Sequence, residues 1–241
     1  MPRLPHAYAW RFGIRAEPPC VSMLARIEEM RKLGLIGGLG PGATIHYYRE
    51  LAAARADGML IIHADMDRVL GDVKRGDRDG LATYFAGLID RLARGGADVA
   101  AISAITPHIC IRELEKISAL PLVNIIEETR KEIRARGYRR VALFGTRFVV
   151  ESRMYGMLDG IDVMVPDQVD AIHEAYMKTV EGGTEGREIL TKIARDLPVD
   201  AIVLAGTDLA LIFNETNTDF PHVDCARVHI QAIMRRLGSE I

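Results

Sequence analysis

The sequence predicts an α/β protein of two similar lobes with parallel sheets, and three observations lead there. From Leu33 onward short apolar runs alternate with amphipathic stretches, the runs are mostly apolar rather than alternating, and one strand-turn-helix pattern returns a little over a hundred residues later. Alternating strand and helix patterns mark crossover connections between parallel strands. Strands without a polar face suit a sheet covered on both sides. The recurrence pairs KLGLIGGLG at 32–40 with RVALFGT at 140–146, and DVAAISAIT at 98–106 with DAIVLAGT at 200–207.

The elements follow in chain order. LGLIG at 33–37 is the first strand and runs into a glycine-rich turn, after which a helix is expected over 43–54. LIIH at 60–63 is the second strand, followed by an amphipathic helix over 81–94. The third strand spans 99–103 and enters a helix over 109–117 through Pro107, a residue suited to a first helical turn. A short strand at 122–124 completes the first half, and a charged amphipathic helix at 127–136 opens the second. The second half repeats the alternation, with strands at 141–144, 163–165, 201–204 and around Val223. Its helices are expected over 148–158, 171–180, 185–196 and 227–237, the last capped by Asp224.

This order divides the chain into a first lobe at 31–126, a second lobe at 127–218 and a return to the first lobe at 219–241. The segment 1–30 carries four arginines and several prolines but no strand or helix period, so it reads as a loosely ordered arm. Ligands of open α/β sheets bind beyond the carboxyl ends of strands, which makes a cleft between the lobes the expected site.

Composition narrows the partners. The chain has 31 Lys and Arg against 33 Asp and Glu, a formal charge of −2, and so no basic field to gather nucleic acid or anionic lipid. No apolar run approaches the roughly 18 residues that cross a bilayer. Cys20, Cys110 and Cys225 lie far apart, without the spacing of a zinc site or a secreted disulfide framework, which fits a reducing cytoplasm. A small-molecule partner is expected, and a homodimer is compatible with the sequence.

Four constellations carry candidate chemistry. GGLGPGAT at 37–44 follows a strand and opens a helix; Gly38 and Gly40 allow tight turning, and the free N–H groups of the helix start, with Thr44, favour an anion. It lacks the G-x-G-x-x-G spacing, so a small carboxylate fits better than a dinucleotide, and a purely structural loop is the alternative. In SAITPH at 103–108, Thr106 is a cap or a ligand group, and His108 sits where a helix dipole disfavours imidazolium. Cys110 turns away from Thr106 by helical phase and packs in the core. AGTD at 205–208 takes the matching place in the second half, with Thr207 and Asp208 as helix caps or, for Asp208, a general base or ammonium partner. VDCARVH at 223–229 again ends a strand and starts a helix, bringing Cys225 toward the site from the first lobe. His46, His63, His173 and His229 are scattered singly, so no metal is expected.

Taken together, GGLGPGATIHYY at 37–48, LIIHAD at 60–65, TPH at 106–108, ALFGTRFVVESRMY at 142–155, VLAGTDLALI at 203–212 and VDCARVH at 223–229 resemble the aspartate/glutamate racemase superfamily. The resemblance implies two pseudo-symmetric Rossmann-like lobes with substrate between them, and amino-acid racemisation without cofactor or metal. It implies a cysteine on each lobe, one on either face of the substrate Cα, in a CNTxH-like and a GCTE-like run. Here Ala104 and Gly206 stand where those cysteines belong and Ile105 replaces the asparagine, while Thr106, His108 and Thr207 match and Asp208 is a shortened Glu. IHEAYMKTVEGG at 172–183 also resembles the second-lobe helix of the family. The expectation is a cofactor-independent family member acting on a small amino acid or carboxylate without the two-thiol route, His108, Asp208 or Cys225 carrying the chemistry. The alternative is a non-catalytic carboxylate-binding protein.

Overall fold

A computed structural model describes residues 31–238, so the arm at 1–30 lies outside the described residues. The first-lobe strands are β1 (Leu33–Gly37), β2 (Leu60–His63), β3 (Val99–Ile102) and β4 (Leu122–Val123); the second-lobe strands are β5 (Arg140–Phe144), β6 (Asp162–Met164), β7 (Ala201–Leu204) and β8 (His222–Asp224). They form two all-parallel sheets in the orders β2-β1-β3-β4 and β6-β5-β7-β8, the same topology twice. Every residue of β1, β3 and β7 is buried, as strands covered on both faces must be. Register sets Leu35 between Ile61 and Ala101 in one sheet, and Ala142 between Met164 and Ile202 in the other.

Helices α1 (Pro41–Ala53), α2 (Met66–Arg75), α3 (Arg78–Arg94) and α4 (Ile111–Ile117) follow the first three strands. Helix α5 (Ile125–Ala135) leaves β4 at Asn124, whose side chain caps the N–H groups of Ile126 and Glu127. Its Ile125, Ile126 and Ile133 pack into the core of the second sheet. The second lobe continues with α6 (Arg147–Glu151), α7 (Val169–Val180) and α8 (Gly186–Asp196), and ends with α9 (Cys225–Leu237). Helix α9 does the converse of α5: Ala226, Ile230 and Ile233 pack with Leu33, Leu35 and Val99 of the first sheet. Each lobe thus lends its last helix to the other. The segment expected to return to the first lobe is therefore split, since β8 stays in the second sheet and only α9 crosses.

Two helices depart from the sequence expectation. Helix α2 was not foreshadowed by a long apolar period; it is a short helix fixed by its ends, with Asp65 accepting from Arg68 N–H and Gly76 closing it in the left-handed conformation. The helix expected over 148–158 stops at Glu151, because Arg153, Met154 and Tyr155 all take positive φ (52°, 54° and 62°). Such a run costs L-residues of order 1 kcal/mol each. It swings Tyr155 across to the first lobe, where its hydroxyl donates to the Thr106 carbonyl at 3.2 Å. No helix among the described residues is long and apolar enough to cross a membrane.

Candidate active site

The carboxyl ends of β1, β3 and β7 meet where the lobes touch. Thr207 donates its hydroxyl proton to the Ser103 carbonyl at 3.1 Å, and Ser103 in turn donates to the Ile36 carbonyl at 3.2 Å. Both residues are buried, so these bonds stand in for the water the groups lose on folding and fix the strand ends against each other.

The loop from Gly37 to Thr44 is folded by its own groups. Gly38 and Gly40 have φ of +90° and +120°, a region closed to ordinary side chains. The Thr44 hydroxyl accepts from Gly38 N–H at 3.0 Å and donates to the Gly40 carbonyl at 3.1 Å, so its proton is spent inside the loop. Helix α1 then starts with Gly40 as a cap without a side chain. The missing cap comes from the other lobe: Asp208 Oδ1 accepts from Ala43 N–H at 3.0 Å. A carboxylate there meets the positive end of the helix dipole. Glycine at 40 is also what admits it, since a Cβ would stand 2.6 Å from Asp208 Oδ2.

Asp208 Oδ2 accepts from the Tyr176 hydroxyl at 3.2 Å. Burial raises the Asp208 carboxyl above its ordinary range, opposed by donation from Ala43 and Tyr176. Burial, with Asp208 alongside, likewise pushes the Tyr176 phenol well up. Both groups therefore hold a proton more tightly than usual, with the phenol donating to the carboxylate. Tyr176 also covers Gly206, where a Cβ would meet its ring at 2.2 Å. On the facing strand end, Ala104 is buried and Ile105 reaches into the hydrophobic core of the second lobe.

His108 stands behind Ala104. Its Nδ1–H donates to the Ala104 carbonyl at 2.8 Å, and burial, with His229 nearby, pushes it down to about 3. The cause is burial first and the neighbouring His229 second, not the helix dipole. His229 is held as the neutral tautomer: Nε2–H donates to the Val123 carbonyl at 2.8 Å, leaving Nδ1 to accept from Tyr47 at 3.0 Å. Burial pushes it down to about 4.

Residues 36–233 match the sequence profile of the Asp/Glu/Hydantoin racemase family. The chain belongs to the Asp/Glu/hydantoin racemase family. As a family member it is 24% identical over 217 residues to the broad specificity amino-acid racemase RacX of Bacillus subtilis (strain 168), covering 80% of this chain and 92% of that protein. Among solved structures it is similar to the Picrophilus torridus aspartate racemase, with a TM-score of 0.73 and 22% identity over 88% of this chain and 96% of that one. An aspartate racemase homologue from Pyrococcus horikoshii OT3 aligns with a TM-score of 0.72 and 22% identity over 87% of this chain and all of the other.

Within this racemase fold, Thr207 bonds the Ser103 carbonyl and Asp208 lies against Gly40 across the lobes, while Gly206 sits under Tyr176. Gly38 and Thr44 fold the adjoining loop, His108 bonds the Ala104 carbonyl, and Thr106 meets Tyr155 through its own carbonyl. Cys225 takes no part in these contacts. It opens α9 and is fully buried in the second-lobe core, where burial pushes its thiol up to about 12, so the approach from the first lobe expected of it is not made. Cys110 packs in the first-lobe core, its thiol also pushed up to about 12 by burial. Tyr155 and Tyr176 were not singled out from the sequence. Tyr176 was findable, because Ile172, Ala175, Tyr176 and Thr179 form the buried stripe of α7, whereas Lys178 stands off it. Tyr155 was hidden by the left-handed run. Among the described residues no group of three or more His, Cys, Asp or Glu side chains is placed to hold a metal ion.

Proposed function

We propose that this family member binds a small amino acid or related carboxylate between its lobes and works on it from one side only, without a cofactor. The observation that carries this reading is the Asp208–Tyr176 pair, buried on the Gly206 side, set against an opposite side made of Ala104, Ile105 and a histidine pushed down to about 3. Racemisation needs a proton taken from one face of Cα and another delivered to the other. Neither alanine nor glycine can do either, and a histidine so weakly basic is a poor partner for the exchange.

The α1 start supplies the binding half of the proposal. A ligand carboxylate takes the Ala43 N–H that Asp208 holds in the free protein, and Asp208, released from its cap, turns its carboxylate toward Cα. It accepts the Cα proton, the ligand keeps the electron pair as a carbanion stabilised by its own carboxyl group, and the same proton or one exchanged with water returns to the same face.

A mixed set of amino and keto acids, followed by NMR in D₂O, tests this directly. The wild-type protein should replace a Cα proton by deuterium in a ligand it binds. Asp208→Asn should bind that ligand and exchange nothing. Exchange that survives in Asp208→Asn contradicts the role of Asp208. The binding-protein reading is favoured by one observation, that Asp208 and Tyr176 fill the seam with both carboxylate oxygens engaged; it corresponds to saturable binding without exchange in the wild type.

A further inference from the structure

A cavity away from the seam lies between α1, α9 and the segment that follows the 3-10 turn Thr207–Leu211; it encloses about 530 Å³. That volume is in the range of small-ligand sites. It shares no lining residue with the loops at Ala104 and Gly206. One wall is apolar, formed by Ala210, Phe213, Ile230 and Met234. The rest of the lining is polar, and its charged groups are mostly carboxylates.

His222 is the central acceptor. The ring is more than nine-tenths buried, with 7% exposure, and Nε2 is buried without any hydrogen-bond partner. Nδ1 faces the Phe220 carbonyl at 3.2 Å and a carbonyl only accepts, so in the neutral ring Nδ1 carries the proton and Nε2 is the acceptor. Nε2 stands 3.9 Å from Glu215 Oε1, another acceptor. Leaving a buried acceptor unsatisfied costs about 1–3 kcal/mol, so Nε2 favours a donor. Two acceptors at that separation can both be reached by one nitrogen about 2.9 Å from each.

Charge selects the kind of donor. The cavity is lined by Glu50, Glu215 and Asp224 against a single guanidinium, Arg227, which is already paired with Glu215. Asp224 caps α9 through Oδ1 alone, which accepts from both Ala226 and Arg227 N–H. We infer that this cavity is a binding site for a small organic cation, an ammonium group on an apolar body, held by His222 Nε2 and Glu215 with its body against Phe213, Ile230 and Met234. An anionic ligand would meet three carboxylates here, and a purely apolar one would leave Nε2 unsatisfied.

Phenethylammonium is the probe, with 2-phenylethanol and 3-phenylpropionate as its neutral and anionic counterparts, and the readout is the ring Cε1–H signal of His222 in the full-length protein. The amine should shift that signal saturably, with an affinity at least tenfold above either counterpart. His222→Phe should weaken amine binding, measured by calorimetry, at least tenfold. Because that variant alters a buried site, Ala54→Trp serves as a second one: Ala54 is exposed at the cavity edge, and an indole there fills the space without touching the core. It too should abolish binding, while Asp208→Asn at the seam should leave it unchanged. The inference is overturned if the amine gives no saturable shift, if the alcohol or the carboxylate binds equally well, or if the folded Ala54→Trp protein binds the amine as the wild type does.

Discussion

At Gly206 the backbone is no obstacle to a side chain, because its φ of −129° is extended. The obstacle is the Tyr176 ring, 2.2 Å from where a Cβ would lie. Gly206→Cys should therefore destabilise the protein by about 1–3 kcal/mol through overpacking. In a Tyr176→Ala background the same substitution should cost at least about 1 kcal/mol less, as chemical denaturation of the four proteins would show. Additive costs would mean that the ring moves aside freely. His229 gives a second test at this scale. Its folded-state pKa of about 4 lies below the ordinary 6.5, so the neutral ring contributes stability that is complete above pH 6.5 and is lost as pH falls toward 4. The stability difference between wild type and His229→Asn should shrink by about 1.4 kcal/mol for each pH unit within that window. Comparing the two proteins cancels the opposite contribution of the buried carboxyls Asp208 and Asp224, both raised by burial, whose stabilisation is lost as pH rises. A constant difference would show that His229 titrates normally.

Helices α5 and α9 are the elements that tie the lobes, because each is capped at the end of its own sheet and packs on the other. Ile233, fully buried on α9, makes the point testable. Ile233→Ala should cost about 2–5 kcal/mol. The loss should appear as faster amide hydrogen exchange in β1 and β5 alike, whereas a fall confined to β1 would separate the lobes energetically. The left-handed run after α6 makes a prediction of the opposite sign. Arg153 is exposed at φ 52°, so Arg153→Gly removes a steric cost and should be neutral or raise the thermal midpoint, where glycine in an ordinary helix costs about 1 kcal/mol. The same elements show what the sequence could carry. Strands such as VAAI and AIVL are legible because burial on both faces leaves no polar position. What is not legible is that β8 stays in the second sheet while α9 crosses, since a short apolar run does not say which sheet it joins. Nor is the break after Glu151, because arginine, methionine and tyrosine give no sign of a left-handed turn.

Over the whole molecule, two copies of one topology face each other so that the loops after β1, β3 and β7 converge. The internal repeat gave reason to expect that convergence; the contacts its residues make were not readable. Thr44 folds the glycine loop, Thr207 fastens the lobes, and Asp208 caps a helix 165 positions away in sequence. Those partners are long-range contacts that no local pattern encodes. The misplacement of Cys225 has the same origin: its strand-to-helix position resembles the others, but β8 is an edge strand, and the thiol turns into the core. The central claim, proton chemistry from one side, is tested most directly by the handedness of a ligand after exchange. An exchange-competent L-amino acid should be incubated in D₂O with the wild-type protein until its Cα is deuterated, and then resolved on a chiral column. The account predicts deuterated L-amino acid with no D-enantiomer above the protein-free control. Deuterium-labelled D-enantiomer forming at the rate of exchange would contradict it, and would require a second proton-carrying group opposite Asp208.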